Sequence, residues 1–350
     1  MRLKGVCYDT GRVLDGRDWR PGFDAEETRR ELQIIRDDLH CNAVKLQGQD
    51  LARLDAAAGH ALDLGLEVWL APEMWERPAD ETLEHLGDAA GRAERLRREY
   101  PNRVVLSVGS EITLFVPGFL DGDTFDERLA FAWQIRSDAC RKRLNDYLGR
   151  AADLARSAFG GPITYASLPS ELVDWTSFDV IGVDLYRDGS NRDRFSTIAR
   201  RFCSMGKPFV AMETGCCTYR GAEDRGGSGY DIVDHTDPTR PHVINGYVRD
   251  ETAQAEEVAD LLAVFDAAGA DGVFVQTFIQ PCTPSNADPR FDFDTASYSL
   301  VRSFATRCGE LTAQFPDIRW DTVSAGTTYP DMPWEPKESF HAVAGFYATH

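Results

Sequence analysis

Glu111 and Glu213 are the residues whose type and placing point most directly to chemistry. Each closes a short apolar run: RVVLSVGSE ends at Glu111, and KPFVAMETG carries Glu213 near its end. Runs of this length, rich in β-branched residues, read as buried strands. As the fourth and seventh strands of an eight-stranded α/β barrel, they would deliver both carboxylates to the mouth where such barrels do their chemistry. Two carboxyls on one cavity suit acid–base cleavage of a glycosidic bond, one protonating the leaving oxygen and the other attacking the sugar. The bland reading is two ordinary acids at helix starts, favoured there by the helix dipole.

The elements that must position these acids can be read along the chain. Strand-like runs alternate with amphipathic stretches: LKGVCYD, helix 24–40, NAVKLQG, helix 50–64, LEVWLAPEMW, helix 80–99, RVVLSVGSE and a helical region 124–158. PITYAS, a helical turn near 169–177, DVIGVDLY, helix 192–205, PFVAMETG, a long loop, helix 250–268, GVFVQTF and helix 295–307 complete the series. Eight β/α repeats predict a parallel sheet closed into a (β/α)8 TIM barrel. The barrel is expected over 1–310, with 311–350 as a C-terminal extension wrapped onto it. Asp24 followed by Glu27 reads as a capping box. Gly65 and Gly269 read as helix stops. Residues 218–249 combine Gly, Asp, Arg and Pro without apolar period and read as a binding loop or lid.

Alternation along a strand gives a parity expectation. Gly109, Ser107 and Val105 should share a face with Glu111. Ala211 and Phe209 should share one with Glu213, and Asp184, Gly182 and Val180 one with Tyr186.

The chain has 350 residues, 43% of them hydrophobic, enough for one barrel with a sizeable core. A formal net charge of −19 without a Lys/Arg stripe speaks against a nucleic-acid partner. No segment has the apolar length of a membrane span, and MRLKGVCYDTG enters strand-like sequence without a signal-peptide pattern, so a cytoplasmic protein is expected. Eight cysteines lie outside any CxxC pair and read as reduced thiols. Cys216 and Cys217 follow Glu213 closely but read as packing. Seven histidines form no H-E-x-x-H motif. His235 and His242 share the long loop without a clear third ligand, so no metal is expected. No Walker or G-x-G-x-x-G loop suggests a nucleotide cofactor, and none of any kind is expected.

These strand-end residues resemble those of the clan A glycoside hydrolases, barrel enzymes with cellulase-like and mannanase-like families. The resemblance spans about 3–307 and implies that Glu111, in VGSE, is the general acid/base and Glu213, in AMETG, the nucleophile of a retaining β-glycosidase. It further implies that Tyr186, at the end of DVIGVDLY, hydrogen-bonds the nucleophile. NAVKL resembles a strand-two pattern whose Arg position holds Lys45 here. Ser110 stands where the clan usually has Asn, and Gln276 near where it usually has Trp, with Phe278 as another apolar platform. From the residues themselves, Lys45 and Tyr186 would favour an ionised Glu213. Asp9, Glu73 and Asp184 compete for places in the mouth. Trp75 and Trp175 are the expected stacking platforms for a sugar ring. The substrate expected is a small glycoside or oligosaccharide. Two other functions remain open: a Schiff-base aldolase using Lys45, and a sugar-binding barrel without turnover.

Overall fold

Eight parallel strands close on themselves in the computed structural model, which describes residues 1–14, 16–237, 239–307 and 309–350. They are β1 (Leu3–Asp9), β2 (Ala43–Gly48), β3 (Glu67–Pro72), β4 (Val104–Ser110), β5 (Ile163–Ser167), β6 (Ile181–Asp184), β7 (Phe209–Thr214) and β8 (Gly272–Val275). β8 closes the ring on β1, setting Leu3 beside Gly272 and Val6 beside Val275. Both faces of each strand are covered, which is why the strands read as near-continuous apolar runs. Cys7, Ala43, Trp69, Val105, Val210, Met212 and Phe274 pack together inside the barrel. Val6, Val44, Val68, Leu106, Ile181 and Val273 face outward into the layer beneath the helices.

The outer layer holds α1 (Ala25–Asp37), α2 (Leu51–Asp63), α3 (Ala79–Glu99), α4 (Asp138–Ala158), α5 (Phe195–Cys203), α6 (Glu251–Ala268) and α7 (Glu338–Thr349). Asp24 caps α1 by accepting the Glu27 amide at 2.8 Å. Gly269 ends α6 in the left-handed region, with φ 84°.

Two elements depart from the pattern read in the sequence. The stretch 124–158 is broken into Phe125–Ala130, a 3-10 turn at Ala132–Arg136, and α4, which Ser137 caps by accepting the Cys140 amide. After β5 the expected helical turn forms as a 3-10 turn, Trp175–Ser177. No α-helix forms over 295–307, only 3-10 turns at Phe293–Ala296 and Ala305–Arg307. Instead Val301–Ser303 pairs antiparallel with Trp334–Pro336. The eighth barrel helix is α7, the last element of the chain, whose Phe340, Val343 and Tyr347 form a buried face at helical spacing. It is fixed to the barrel by Tyr347, whose hydroxyl donates to Gly5 O and whose carbonyl accepts from Lys4 Nζ, each at 2.9 Å.

Two register shifts matter for the site. Along β6/β7, Val183 pairs with Ala211 but Asp184 pairs with Glu213, so Met212 is the extra residue of a bulge. Along β4/β5 the register slips between Ser107 and Ser110. The parity expected for Asp184, Gly182 and Val180 fits β6. For β7 it fails: Ala211 and Phe209 lie in the outer layer, whereas Val210 and Met212 lie inside. Glu213 reaches the interior because the bulge resets the alternation.

Candidate active site

The Glu213 carboxylate sits where three strands and one strand-end tyrosine converge. Its Oε1 accepts from Lys45 Nζ at 3.0 Å and from Gln47 Nε2 at 2.5 Å, both on β2. Its Oε2 accepts from the Tyr186 hydroxyl at 3.1 Å. Arg12 Nη1 stands 3.9 Å away. Lys45 and Gln47 are two residues apart, so strand alternation aims both inward. Arg12 enters from the loop after β1, held by Asp9, which accepts its Nε at 2.5 Å and the amides of Gly11 and Arg12.

Carboxyls outnumber cations here, and protonation must divide among them. Burial opposes charge on Glu213, but Lys45 and Arg12 outweigh it and hold its pKa below the usual carboxylate value. Burial raises Glu73, only partly offset by Lys45 at 3.9 Å and Arg12 at 3.4 Å. It raises Asp184 strongly, with Glu213 and Glu73 adding repulsion. Lys45, 4.0 Å from Asp184, cannot neutralise both. Burial alone would lower the pKa of Lys45, yet Glu213 and Asp184 raise it, so its ammonium keeps its proton.

Glu111 ends β4 in an uncommon backbone state, φ 44° and ψ 43°. The left-handed region costs a non-glycine residue roughly 1–2 kcal/mol, and such positions cluster at functional sites. The residue starts the short helix Ile112–Phe115, and its amide donates to Ala166 O at 2.8 Å. Burial raises its pKa well above the ordinary value, and Asp184, Glu213 and Glu171 raise it further. Glu111 and Glu213 thus lie in each other's field with opposite protonation tendencies.

The other expected site residues separate into two groups. Asp9, Lys45, Glu73, Ser110, Asp184 and Tyr186 all belong to the cluster, Ser110 by donating to Asp184 Oδ2 at 3.1 Å. Gln276 is buried at the end of β8, and its Oε1 has no hydrogen-bond partner among the described residues. Trp75 lies beside the site but is no open platform. Its ring stacks on Phe115 at 4.0 Å, meets Trp19 edge-on and lies under the Arg12 guanidinium, leaving 5% of the residue exposed. Trp175 does not belong. It sits on the turn leading into β6, and its carbonyl accepts from Lys207, which leads into β7. Both precede their strands, so Trp175 lies at the barrel's N-terminal end, opposite the mouth. The eight-residue spacing from PITYAS gave no sign of which end the ring would occupy. Phe278 likewise packs on Tyr8 and Trp334.

Sequence reasoning missed Gln47, Arg12 and Glu171. Gln47 was recoverable from its parity with Lys45. Arg12 lies in a loop with no periodicity to place it. Residues 218–249 include 3-10 turns and a small hairpin, Val233–Asp234 with His242–Val243. Its glycines serve close approach: Tyr298, edge-on to Tyr186, donates to Gly226 O at 2.6 Å and accepts the Gly229 amide at 2.9 Å. Burial raises the thiols of Cys216 and Cys217. Among the described residues, no group of three His, Cys, Asp or Glu side chains gathers as a metal site, and no helix is long and apolar enough to cross a membrane.

Solved structures share this architecture. A complex of a GH113 β-1,4-mannanase superposes with a TM-score of 0.62 at 13% identity, covering 99% of both chains. The family 5 glycoside hydrolase of Prevotella bryantii B14 gives 0.52 at 12% identity, over 89% of this chain and 96% of that one. A Bacteroides uniformis β-glucuronidase gives 0.53 at 16% identity, over 88% of this chain and 33% of that larger one. The fold shared with these structures is the closed (β/α)8 barrel. No protein-family profile and no curated protein matches the sequence.

Proposed function

We propose that this protein is a retaining β-glycoside hydrolase acting on a small glycoside or oligosaccharide, with Glu213 as nucleophile and Glu111 as general acid/base. What carries the reading is two acids of opposite tendency in one mouth: Lys45, 3.0 Å away, and Arg12 favour the ionised form of Glu213, whereas burial and its acidic neighbours favour the protonated form of Glu111. That division suits the two roles. Glu213 Oε2 attacks the anomeric carbon while the C–O bond to the leaving group breaks. Glu111 gives its proton to the departing oxygen. That proton leaves with the aglycone; water then attacks the anomeric carbon of the glycosyl-enzyme ester, giving one proton to Glu111, and the bond to Glu213 breaks. Lys45, Gln47 and Tyr186 aim and stabilise the carboxylate that attacks and later leaves. Ser110 and Gln276 are proposed to contact sugar hydroxyls, and the glycoside hydrolase neighbours support the reaction class. The raised pKa of Lys45 weighs against the aldolase, because an ammonium has no lone pair for a carbonyl.

The test uses aryl β-glycosides of several sugars. Glu213→Ala should abolish turnover, and azide should restore part of it with inverted glycosyl azide as product. Glu111→Ala should spare substrates with good leaving groups and lose those with poor ones. Full activity in both variants refutes the assignment. A wild type that binds sugars but turns over none of these glycosides leaves the binding-barrel reading standing.

A further inference from the structure

We infer that Glu171 and Tyr165 are positioning residues for the acid/base carboxyl, clamping the left-handed turn that presents Glu111 to the mouth. The inference rests on the role of Glu111 proposed above. These two side chains bind the amides that follow Glu111. Tyr165, on β5, accepts the Ile112 amide at 2.8 Å and donates to Glu171 Oε2 at 2.8 Å. Glu171, from the loop after β5, accepts the Thr113 amide at 3.2 Å and the Thr113 hydroxyl at 2.7 Å on its Oε1. Its Oε2 also accepts the Leu168 amide at 3.0 Å. The two amides that follow Glu111 are therefore both taken. At a helix start such amides have no partner within the helix.

The arrangement is more specific than packing requires. Tyr165 and Thr113 are fully buried and Glu171 nearly so. An isolated carboxyl is costly in such a place, and an apolar side chain would fill the volume more simply. Here four donors converge on the Glu171 carboxyl, which holds Thr113 directly and Ile112 through Tyr165. Upstream, Gly109 has φ 154°, and a Cβ there would come within 2.9 Å of Ile112. The backbone is thus fixed on both sides of Glu111.

Glu171 also acts through its charge. The groups bearing on Glu111 are Asp184 from β6, Glu213 from β7, Lys45 from β2, Glu171 and Tyr165 from the β5 side, and Tyr230 from the long loop. Among the acids, Glu171 alone combines a direct hold on the turn with repulsion that helps Glu111 keep its proton. The clamp sets where the acid points and how tightly it holds the proton it must deliver.

The test compares Glu171→Gln, Tyr165→Phe and Thr113→Val in the full chain, with thermal unfolding as a check on folding. Against paired aryl glycosides, kcat/KM for the poor leaving group should fall about tenfold more than for the nitrophenolate, since the loss is one of general-acid assistance. In Glu171→Gln the alkaline limb should move to lower pH. An NMR titration of carboxyl-13C glutamate, with the Glu111 signal assigned by Glu111→Gln, should show the same downward shift without any substrate. Folded variants with unchanged leaving-group dependence and an unchanged Glu111 titration overturn the clamp. If Glu111→Ala itself lacks leaving-group sensitivity, the acid/base reading has failed instead, and the positioning claim falls with it. Tyr165→Phe keeps the ring and carries the test if Glu171→Gln does not fold.

Discussion

Lys45 Nζ lies 3.0 Å from Glu213 Oε1, 3.9 Å from Glu73 Oε1 and 4.0 Å from Asp184 Oδ1, so one buried ammonium faces three carboxyls and favours the nearest. This sharing ionises Glu213 at the expense of Asp184. Lys45→Met should therefore do more than lower activity. With its main counter-charge gone, Glu213 should titrate at higher pH, and the acid limb of kcat/KM should move up. Removing one partner of a buried pair typically costs about 3–5 kcal/mol of stability, so the melting temperature should fall as well. An unchanged acid limb in a folded Lys45→Met variant would show that the ion pair does not set the nucleophile.

The wild-type pH profile should be a bell. Glu213 must be ionised, and its pKa lies below the ordinary glutamate value, so activity should persist into mild acid before the lower limb appears. Glu111 must be protonated, and its pKa lies well above that value, which sets the upper limb. Glu111→Gln should remove the upper limb and keep the lower. A profile flat through both ranges would mean that neither acid controls turnover.

Stability should carry a separate pH signature. Folding raises the pKa values of Asp184 and Glu73 through burial. Groups raised in the folded state hold protons that the unfolded chain has released, so their contribution is complete below the unfolded pKa and is lost as pH climbs through the folded one. Each such proton gives a slope of about 1.4 kcal/mol per pH unit within that window. Asp184→Asn mimics the neutral carboxyl and should flatten the decline, read as melting temperature against pH. A wild type whose stability rises over the same window would contradict the assigned directions.

How much of this could be read in the sequence follows from where the rules of alternation hold. The eight strands were legible because covered parallel strands are apolar on both faces, and the β6 parity held because that part of the strand is regular. Glu213 reached the mouth for a different reason than parity suggested: Met212 is an extra residue, and no composition cue marks it. The slip between Ser107 and Ser110 is equally silent, although Gly109 beside it is a hint. The helix expected over 295–307 failed because its place on the barrel is filled from the chain's far end, a pairing of β1 with α7 that local periodicity does not report. Arg12 and Trp175 show the same limit. A loop residue and a turn residue are placed by tertiary contacts alone.

The C-terminal segment should behave as barrel, not as appendage. Trp334 is fully buried, and its indole donates at 2.8 Å to Glu31 on α1, which also binds Arg20. Trp334→Ala should cost about 3–5 kcal/mol, the range for emptying a large aromatic site, and the donor to Glu31 would be lost with it. Trp175→Ala, at the opposite end from the mouth, should lower the melting temperature while leaving kcat and KM as in the wild type. A selective rise in KM for Trp175→Ala would place that ring in the substrate path after all.

The charge of the mouth bears on which glycosides can enter. Asp9, Glu73, Glu111, Asp184 and Glu213 face two cations among the described residues, Arg12 and Lys45, and both already lie within 4.0 Å of carboxylates. A uronide would bring another carboxylate into this setting. Glu213 is the acid favoured in its ionised form there, and at an effective dielectric of about 20 two like charges 4 Å apart repel by about 4 kcal/mol, enough for a hundredfold loss or more. Neutral aryl glycosides should therefore be turned over at least about a hundredfold faster, in kcat/KM, than the matching uronides. Gln47 and Asp184 also keep buried oxygens without hydrogen-bond partners among the described residues, acceptors suited to sugar hydroxyls. Parallel assays of paired glucosides and glucuronides, and of galactosides and galacturonides, measure the ratio directly. A preference for the uronide would mean that Arg12, whose Nη2 has no hydrogen-bond partner among the described residues, is a substrate anchor instead of a counter-charge for the enzyme's own acids.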